Sequence, residues 1–278
     1  MAEPAVRGGS DAVRSAAIER RSGDARRPAD DRVAHEEPLE IQVGATPLAV
    51  VMRTPGHDRE LALGFLLTEG IVGSPKEIVS LAHESVDSDP ESAGNVVRAL
   101  LRAGVSLDLE ALRRNLYAGS SCGVCGKTTL ERALRSSPPL EDAARFDVAK
   151  LYDLPEKLRA AQSAFAETGG LHAAALFDQG GELLVVREDV GRHNAVDKTI
   201  GWAAARGLLP LAGHGLLVSG RISFEIVQKA LAARIPLVAA VSAPTSLAVR
   251  LAAQGRVALV GFLRGRTCNV YGARERVA

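Results

Sequence analysis

From residue 171 onward the chain alternates short apolar runs with helix-length amphipathic segments, and this pattern restricts the fold more than any other feature. Leu171–Phe177 and Glu182–Arg187 flank the turn Asp178-Gln-Gly-Gly181 and read as a hairpin. Apolar runs 215–219, 237–242 and 257–262 then alternate with helical segments near 192–206, 224–233 and 246–254. Short strands without polar alternation, separated by helices, predict parallel strands covered on both faces, an α/β architecture.

The N-terminal half is patterned differently. Residues 1–35 are rich in Ala, Arg, Asp, Ser and Gly with few large apolar side chains, which predicts a disordered tail. Residues 38–53 read as a hairpin around a Gly-Ala-Thr-Pro turn, and Asp58 is placed to cap a helix from Arg59 to Glu69 that stops at Gly70. A helical turn after Pro75, a polar loop around 87–90 and a strand over 95–101 come next, then a helix from Asp108 to Tyr117. Segment 136–147, with Ser-Ser-Pro-Pro, reads as a domain boundary or a long connection, and one helix spans Pro155 to about Glu167. The expected division is a tail over 1–35, a smaller α+β domain over 36–135, and an α/β domain over 136–278.

The net charge is +1, so the chain as a whole is not a nucleic-acid binder, and no apolar run is long enough to span a bilayer. Three cysteines do not make a disulfide framework; they point to a reducing, cytoplasmic compartment and to thiol chemistry. Two of the three sit in Ser120-Ser-Cys122-Gly-Val-Cys125-Gly-Lys-Thr-Thr129, ahead of a run that reads as helical. A thiolate near a helix N-terminus has a depressed pKa. A structural zinc site needs four ligands, and neither Cys268 nor the scattered histidines supply the rest. A thioredoxin-like pair follows a strand, whereas a helix precedes this one. A phosphate loop requires glycine where Ser121 stands. Thiol or sulfur-transfer chemistry remains, with two small buried residues as the structural alternative.

Several strand ends carry anion-friendly residues. Arg187–Lys198 is dense in charge where a strand meets a helix, with Arg192 and His193 at the helix start. Ser219-Gly220-Arg221 and Ser242–Ser246 occupy equivalent positions, and Gly261–Thr267 carries two arginines and two glycines. Side by side, such edges make a crevice for a phosphate-bearing ligand; each residue alone could as well be a helix cap or solvated loop.

Met52-Arg-Thr-Pro-Gly-His-Asp58, Leu61–Gly70, the Ser-Ser-Cys-Gly-Val-Cys-Gly loop, Arg187–Ala195, Val218–Arg221 and Asn269-Val-Tyr271, in this order, resemble the FdhD family of formate dehydrogenase accessory sulfurtransferases. The resemblance covers nearly the whole chain from about Glu37. It implies a three-layer α/β/α domain of the cytidine-deaminase type with a smaller N-terminal α+β domain. It further implies that Cys122 carries a persulfide received from a cysteine desulfurase, with Cys125 an assisting thiol, and hands the sulfur to a molybdenum or tungsten bis(molybdopterin guanine dinucleotide) cofactor destined for formate dehydrogenase. Phe262, Leu263, Arg264, Gly265, Arg266 and Thr267 match the family's cofactor-binding segment, and Arg192, His193, Ser219 and Arg221 join them as further candidates. A homodimer is a family expectation. The deaminase zinc signature is missing, since His193 is followed by Asn194-Ala195 without a glutamate, so neither zinc nor deamination is expected. A cofactor-binding chaperone without sulfur chemistry, or a dithiol oxidoreductase, are the alternatives.

Overall fold

The computed structural model describes residues 12–84, 94–105 and 126–278. Its largest element is a six-stranded mixed sheet in the order β12-β11-β10-β9-β7-β8, made of β7 (His172–Asp178), β8 (Leu183–Asp189), β9 (His214–Val218), β10 (Leu237–Ala240), β11 (Ala258–Arg264) and β12 (Thr267–Gly272). The expected parallel strands are β9, β10 and β11; β7 and β12 flank them antiparallel, and β8 pairs antiparallel with β7. The alternation along β7 shows why the sequence reads as a continuous apolar run. Ala174 and Leu176 face one core, while Ala173, Ala175 and Phe177 face the other.

The first core is closed by α6 (Arg192–Ala205), α7 (Phe224–Ala232) and α8 (Ser246–Gly255), and by Leu130 and Ala133 of α2 (Gly126–Ser136). The second is closed by α3 (Val148–Leu151) and α4 (Leu154–Ala161) through Leu151, Leu154 and Leu158. By its packing α2 therefore belongs to the larger core, although the sequence reading grouped it with the smaller unit. The helix expected over 155–167 is two helices: α4 ends at Ala161 and α5 (Ser163–Thr168) begins after Gln162, whose ψ of 77° breaks the run.

A four-stranded sheet, β4-β3-β6-β5, is formed by β3 (Glu37–Val43), β4 (Thr46–Arg53), β5 (Ile78–His83) and β6 (Val96–Leu101). Leu39, Ile41 and Val97 pack under α1 (Asp58–Thr68) through Leu61, Phe65 and Leu66. His57, not Asp58, is the residue before this helix; Asp58 lies inside it and accepts a bidentate pair from Arg53 Nε and a terminal nitrogen, both at 3.1 Å. Gly70, at φ 69°, stops the chain's helical course as expected.

The tail expected over 1–35 is corrected for its described part. β1 (Val13–Ser22) and β2 (Ala25–Ala34) pair in a ten-rung antiparallel ladder. Backbone hydrogen bonds need no large side chains, so composition alone misjudged the segment. Among the described residues the ribbon is anchored at its base, where Val13 and Ala34 pack on Ala164, Phe165 and Leu171, and Arg32 reaches Glu167 at 2.9 Å.

The smaller sheet is bound to the larger one by the crossing of α1 over α6. A Cβ on Gly64 would lie 1.9 Å from the Asp197 carbonyl oxygen, and one on Gly201 would lie 1.9 Å from that of Glu60. Only glycine at both positions lets the two backbones touch.

Candidate functional site

The loop holding Cys122 and Cys125 lies outside the described residues. Helix α2 comes directly after it, as the sequence implied, and begins at Gly126, the residue after Cys125. Cys268 on β12 is half-buried and unpaired, with its thiol pKa raised by burial.

The charge-dense segment 187–198 is mostly structural. Arg187 holds Glu60 with two bonds of 2.6 and 3.0 Å, and Glu188 accepts from the Ala164 and Phe165 amides. Burial raises the Glu188 pKa, partly offset by those two amides. Asp189 is fully buried and takes Lys198 at 2.7 Å, the Thr54 amide at 3.1 Å and Asn194 Nδ2 at 2.9 Å; Asn194 also donates to the Met52 carbonyl at 2.7 Å. These bonds fasten the 52–54 strand end of the smaller sheet to the start of α6. They explain why polar residues cluster there without assigning them to a ligand.

Arg192 differs from its neighbours. Its Nε is buried and has no hydrogen-bond partner among the described residues. The side chain lies beside Gly220, where an added Cβ would come 3.8 Å from Arg192 Cδ and 3.4 Å from His172 Nδ1. Burial, then the Arg192 charge, lower the His172 pKa. His193 is lowered further, to about 4, by burial and Arg192, and its ring contacts Ser223 Oγ at 3.4 Å. Both histidines are therefore neutral near pH 7, and the expected cationic contribution of His193 reduces to hydrogen bonding. Ser219 Oγ accepts from the Ala173 amide at 2.9 Å, and Arg221 is exposed.

The 262–267 segment is a tight hairpin between β11 and β12, with a register shift between Gly261 and Arg264. Phe262, 41% exposed, adopts φ 54°, a conformation disfavoured for a bulky side chain. Arg264 Nε donates to the Val241 carbonyl at 3.0 Å, Arg266 lies 5.5 Å over the Tyr152 ring, and Thr267 Oγ1 donates to the Arg264 carbonyl. Leu263 points elsewhere: it is completely buried in the second core, so its role is packing.

The ends of β11, β10 and β9 and the start of β7 thus bring Arg264, Val241, Ser219 and His172 to one sheet edge, with Arg192 behind His172. On the α4–α5 side of this edge lies a cavity of about 540 Å³. Its walls include Leu158, Arg159, Gln162, Phe165, His172 and Ser219. The break at Gln162 opens this wall, and no helix-breaking residue type announces it in the sequence, so reading 155–167 as one helix hid the cavity.

Comparison with known proteins decides the family. The FdhD/NarQ family profile matches residues 34–278. The chain belongs to the FdhD/NarQ family. It is 52% identical over 245 residues to the sulfur carrier protein FdhD of Mycolicibacterium paratuberculosis, covering 87% of this chain and 90% of that protein. The sulfur carrier protein FdhD of Streptomyces avermitilis is 50% identical, with 89% of both chains covered, and that of Sulfurisphaera tokodaii is 43% identical, with 89% and 92% covered. The crystal structure of a putative formate dehydrogenase accessory protein from Desulfotalea psychrophila shares the fold, with a TM-score of 0.76 at 22% identity over 96% of this chain and 100% of that one. Nearly all of the β1–β2 ribbon lies before the family match begins.

Proposed function

We propose that this protein is a sulfur carrier that serves a formate dehydrogenase. The observation that carries the reading is the set of sulfur carrier relatives near 50% identity over almost nine-tenths of the chain. The Ser-Ser-Cys-Gly-Val-Cys-Gly segment supplies the chemistry. The Cys122 thiolate attacks the terminal sulfur of a persulfide on a cysteine desulfurase, forming Cys122–S–S⁻ and releasing the donor's thiolate. The sulfane sulfur then passes to the molybdenum or tungsten bis(molybdopterin guanine dinucleotide) substrate, whose reduced metal gives the electron pair that makes it a sulfido ligand, and Cys122 returns as a thiolate. Cys125 assists without carrying the sulfur.

The acceptor's pyrophosphates need cations and amide donors, and the sheet edge offers both. Arg192 has an unmatched buried nitrogen and Arg264 has terminal nitrogens with no partner among the described residues; Arg221 and Arg266 extend the positive rim. The start of α6 contributes backbone donors, and Phe262 stands exposed at the entrance. We further read the sheet with helices on both faces as the deaminase-type layer fold without its zinc chemistry, and the working form as a cytoplasmic homodimer.

Replacing Cys122 by alanine tests the carrier role: formate dehydrogenase activity in a host lacking its own accessory protein should be lost while the variant folds normally. Retained activity overturns the role. The cationic sheet edge also suits a binding chaperone without chemistry, which the same variant would leave active. Equal loss on replacing Cys122 and Cys125 would instead indicate a dithiol oxidoreductase.

A further inference from the structure

The β1–β2 ribbon takes no part in the proposed chemistry, and nearly all of it precedes the family match at residue 34. Its ten rungs span about 30 Å. A two-stranded ribbon has little stability of its own in water, and this one pairs like charges at its tip: Arg20 stands opposite Arg27, and Arg21 opposite Arg26. All four arginines are exposed. Arg21 lies 2.7 Å from Glu19 and Arg20 lies 3.7 Å from Asp31, whereas Arg26 and Arg27 have no ion pair among the described residues. A tip built on facing cations costs the free chain stability and is complementary to an acidic patch on another molecule.

The charge pattern favours a protein over a nucleic acid as that molecule. Below the tip Glu19, Asp30 and Asp31 interrupt the arginines, and a phosphate backbone would repel these exposed carboxylates. One face also carries apolar side chains: by the register Ile18 and Ala29 lie opposite one another, next to Arg20 and Arg27, with Val33, 40% exposed, nearer the base. Arginines beside aliphatic side chains suit a protein interface. The anchoring decides which face of the molecule such a partner meets. Val13 and Ala34 pack on Ala164, Phe165 and Leu171, and Leu171 leads directly into His172 at the sheet edge. The ribbon thus springs from the wall beside the edge proposed to hold the acceptor, and a protein gripped along it is kept within reach of that edge. We infer that the ribbon docks onto an acidic surface of the dehydrogenase that receives the sulfurated acceptor. The inference rests on the proposed function as a carrier serving a formate dehydrogenase.

Biolayer interferometry of the full chain against the formate dehydrogenase and the cysteine desulfurase of the same host tests this. The wild-type chain should bind the dehydrogenase, and more weakly as salt is raised. The discriminating variant combines Arg26→Glu with Arg27→Glu. It turns both facing pairs into opposite charges, so the ribbon itself is kept or strengthened while an acidic partner is repelled. Dehydrogenase affinity should fall about tenfold or more, with Tm and the sulfur loading of Cys122 by the desulfurase undiminished. Arg26→Lys with Arg27→Lys keeps the charge and should retain most of the binding. Equal dehydrogenase binding by the wild type and the glutamate variant overturns the inference and leaves the proposed function standing. So does a loss seen with the desulfurase, or with duplex DNA, in place of the dehydrogenase. Absence of dehydrogenase binding by the wild-type chain overturns the inference together with the dehydrogenase part of that function, while sulfur loading of Cys122 remains a separate measurement.

Discussion

Two polar regions of this molecule, both built on residues from the 187–198 segment and its surroundings, are finished in opposite ways. Where α1 crosses α6, every buried charge is matched. Lys229 Nζ donates to Asp197 at 2.9 Å, Thr68 at 2.9 Å and Glu69 at 2.7 Å, and Thr68 donates to the other Asp197 oxygen at 2.8 Å. At the sheet edge a polar group is left open: Arg192 Nε is buried and lacks a partner among the described residues, and Phe262 sits in a disfavoured conformation. Matched buried charge fixes one arrangement of two packed units, whereas unmatched polar groups are tolerated where a ligand can complete them. Both regions are polar in sequence; only the structure separates scaffold from candidate site.

The matched region is disrupted most severely at the helix crossing itself. Gly64→Val places side-chain atoms where the Asp197 carbonyl already stands, so the helices must separate and expose the interface. We expect a loss of about 3 kcal/mol or more, seen in chemical denaturation as a lower midpoint or as no folded product. An unchanged midpoint would show that the crossing is not close-packed.

Removing the cation of the matched network comes next. Lys229→Met leaves Asp197 and Glu69 facing each other at the interface without compensation, which costs about 3 kcal/mol. Burial already raises the Asp197 pKa to about 6 with Lys229 present, and losing Lys229 raises it further. A second change, Asp197→Asn, should restore much of the loss. If the single and double variants unfold alike, the network is not a coupled unit.

The smallest effect lies at the boundary between the two regions. His193 titrates near 4 in the folded protein, below the ordinary value of 6.5, because burial and Arg192 oppose its charge. The unfolded chain binds that proton first, so this group's contribution to stability is present above about pH 6.5 and lost as pH falls toward 4. The ring is partly exposed, which limits the effect to about 1 kcal/mol, or about 2–4 °C in Tm. His193→Asn should flatten the decline of Tm with acid; an identical slope would contradict the assignment.

Much of the larger sheet was legible because both faces of β7, β9, β10 and β11 are buried, which writes long apolar runs into the sequence. The rest depended on contacts between distant residues. β12 comes after β11 by a tight turn and is mostly half-exposed, so Thr267–Gly272 lacks the continuous apolar run that marks the other strands. The β1–β2 ribbon is stabilised by backbone pairing, to which composition is blind. Within the site, the arginines at strand ends were visible as residue types, and Arg264 and Arg192 do reach one edge with Ser219. Leu263, Asp189 and Lys198 share the same segments yet serve the core, a distinction that only burial reveals. Gln162 left no trace, since a glutamine inside an apparently continuous helix reads as a solvated position.

Whether Cys122 carries sulfur and Cys125 does not is decided by intact-protein and peptide mass spectrometry after incubation with a cysteine desulfurase and cysteine. A mass gain of one sulfur is expected, mapped to Cys122, retained in Cys125→Ala and absent in Cys122→Ala. Sulfur found on Cys125 or Cys268, or no gain in the wild-type chain, would contradict the carrier role assigned to Cys122.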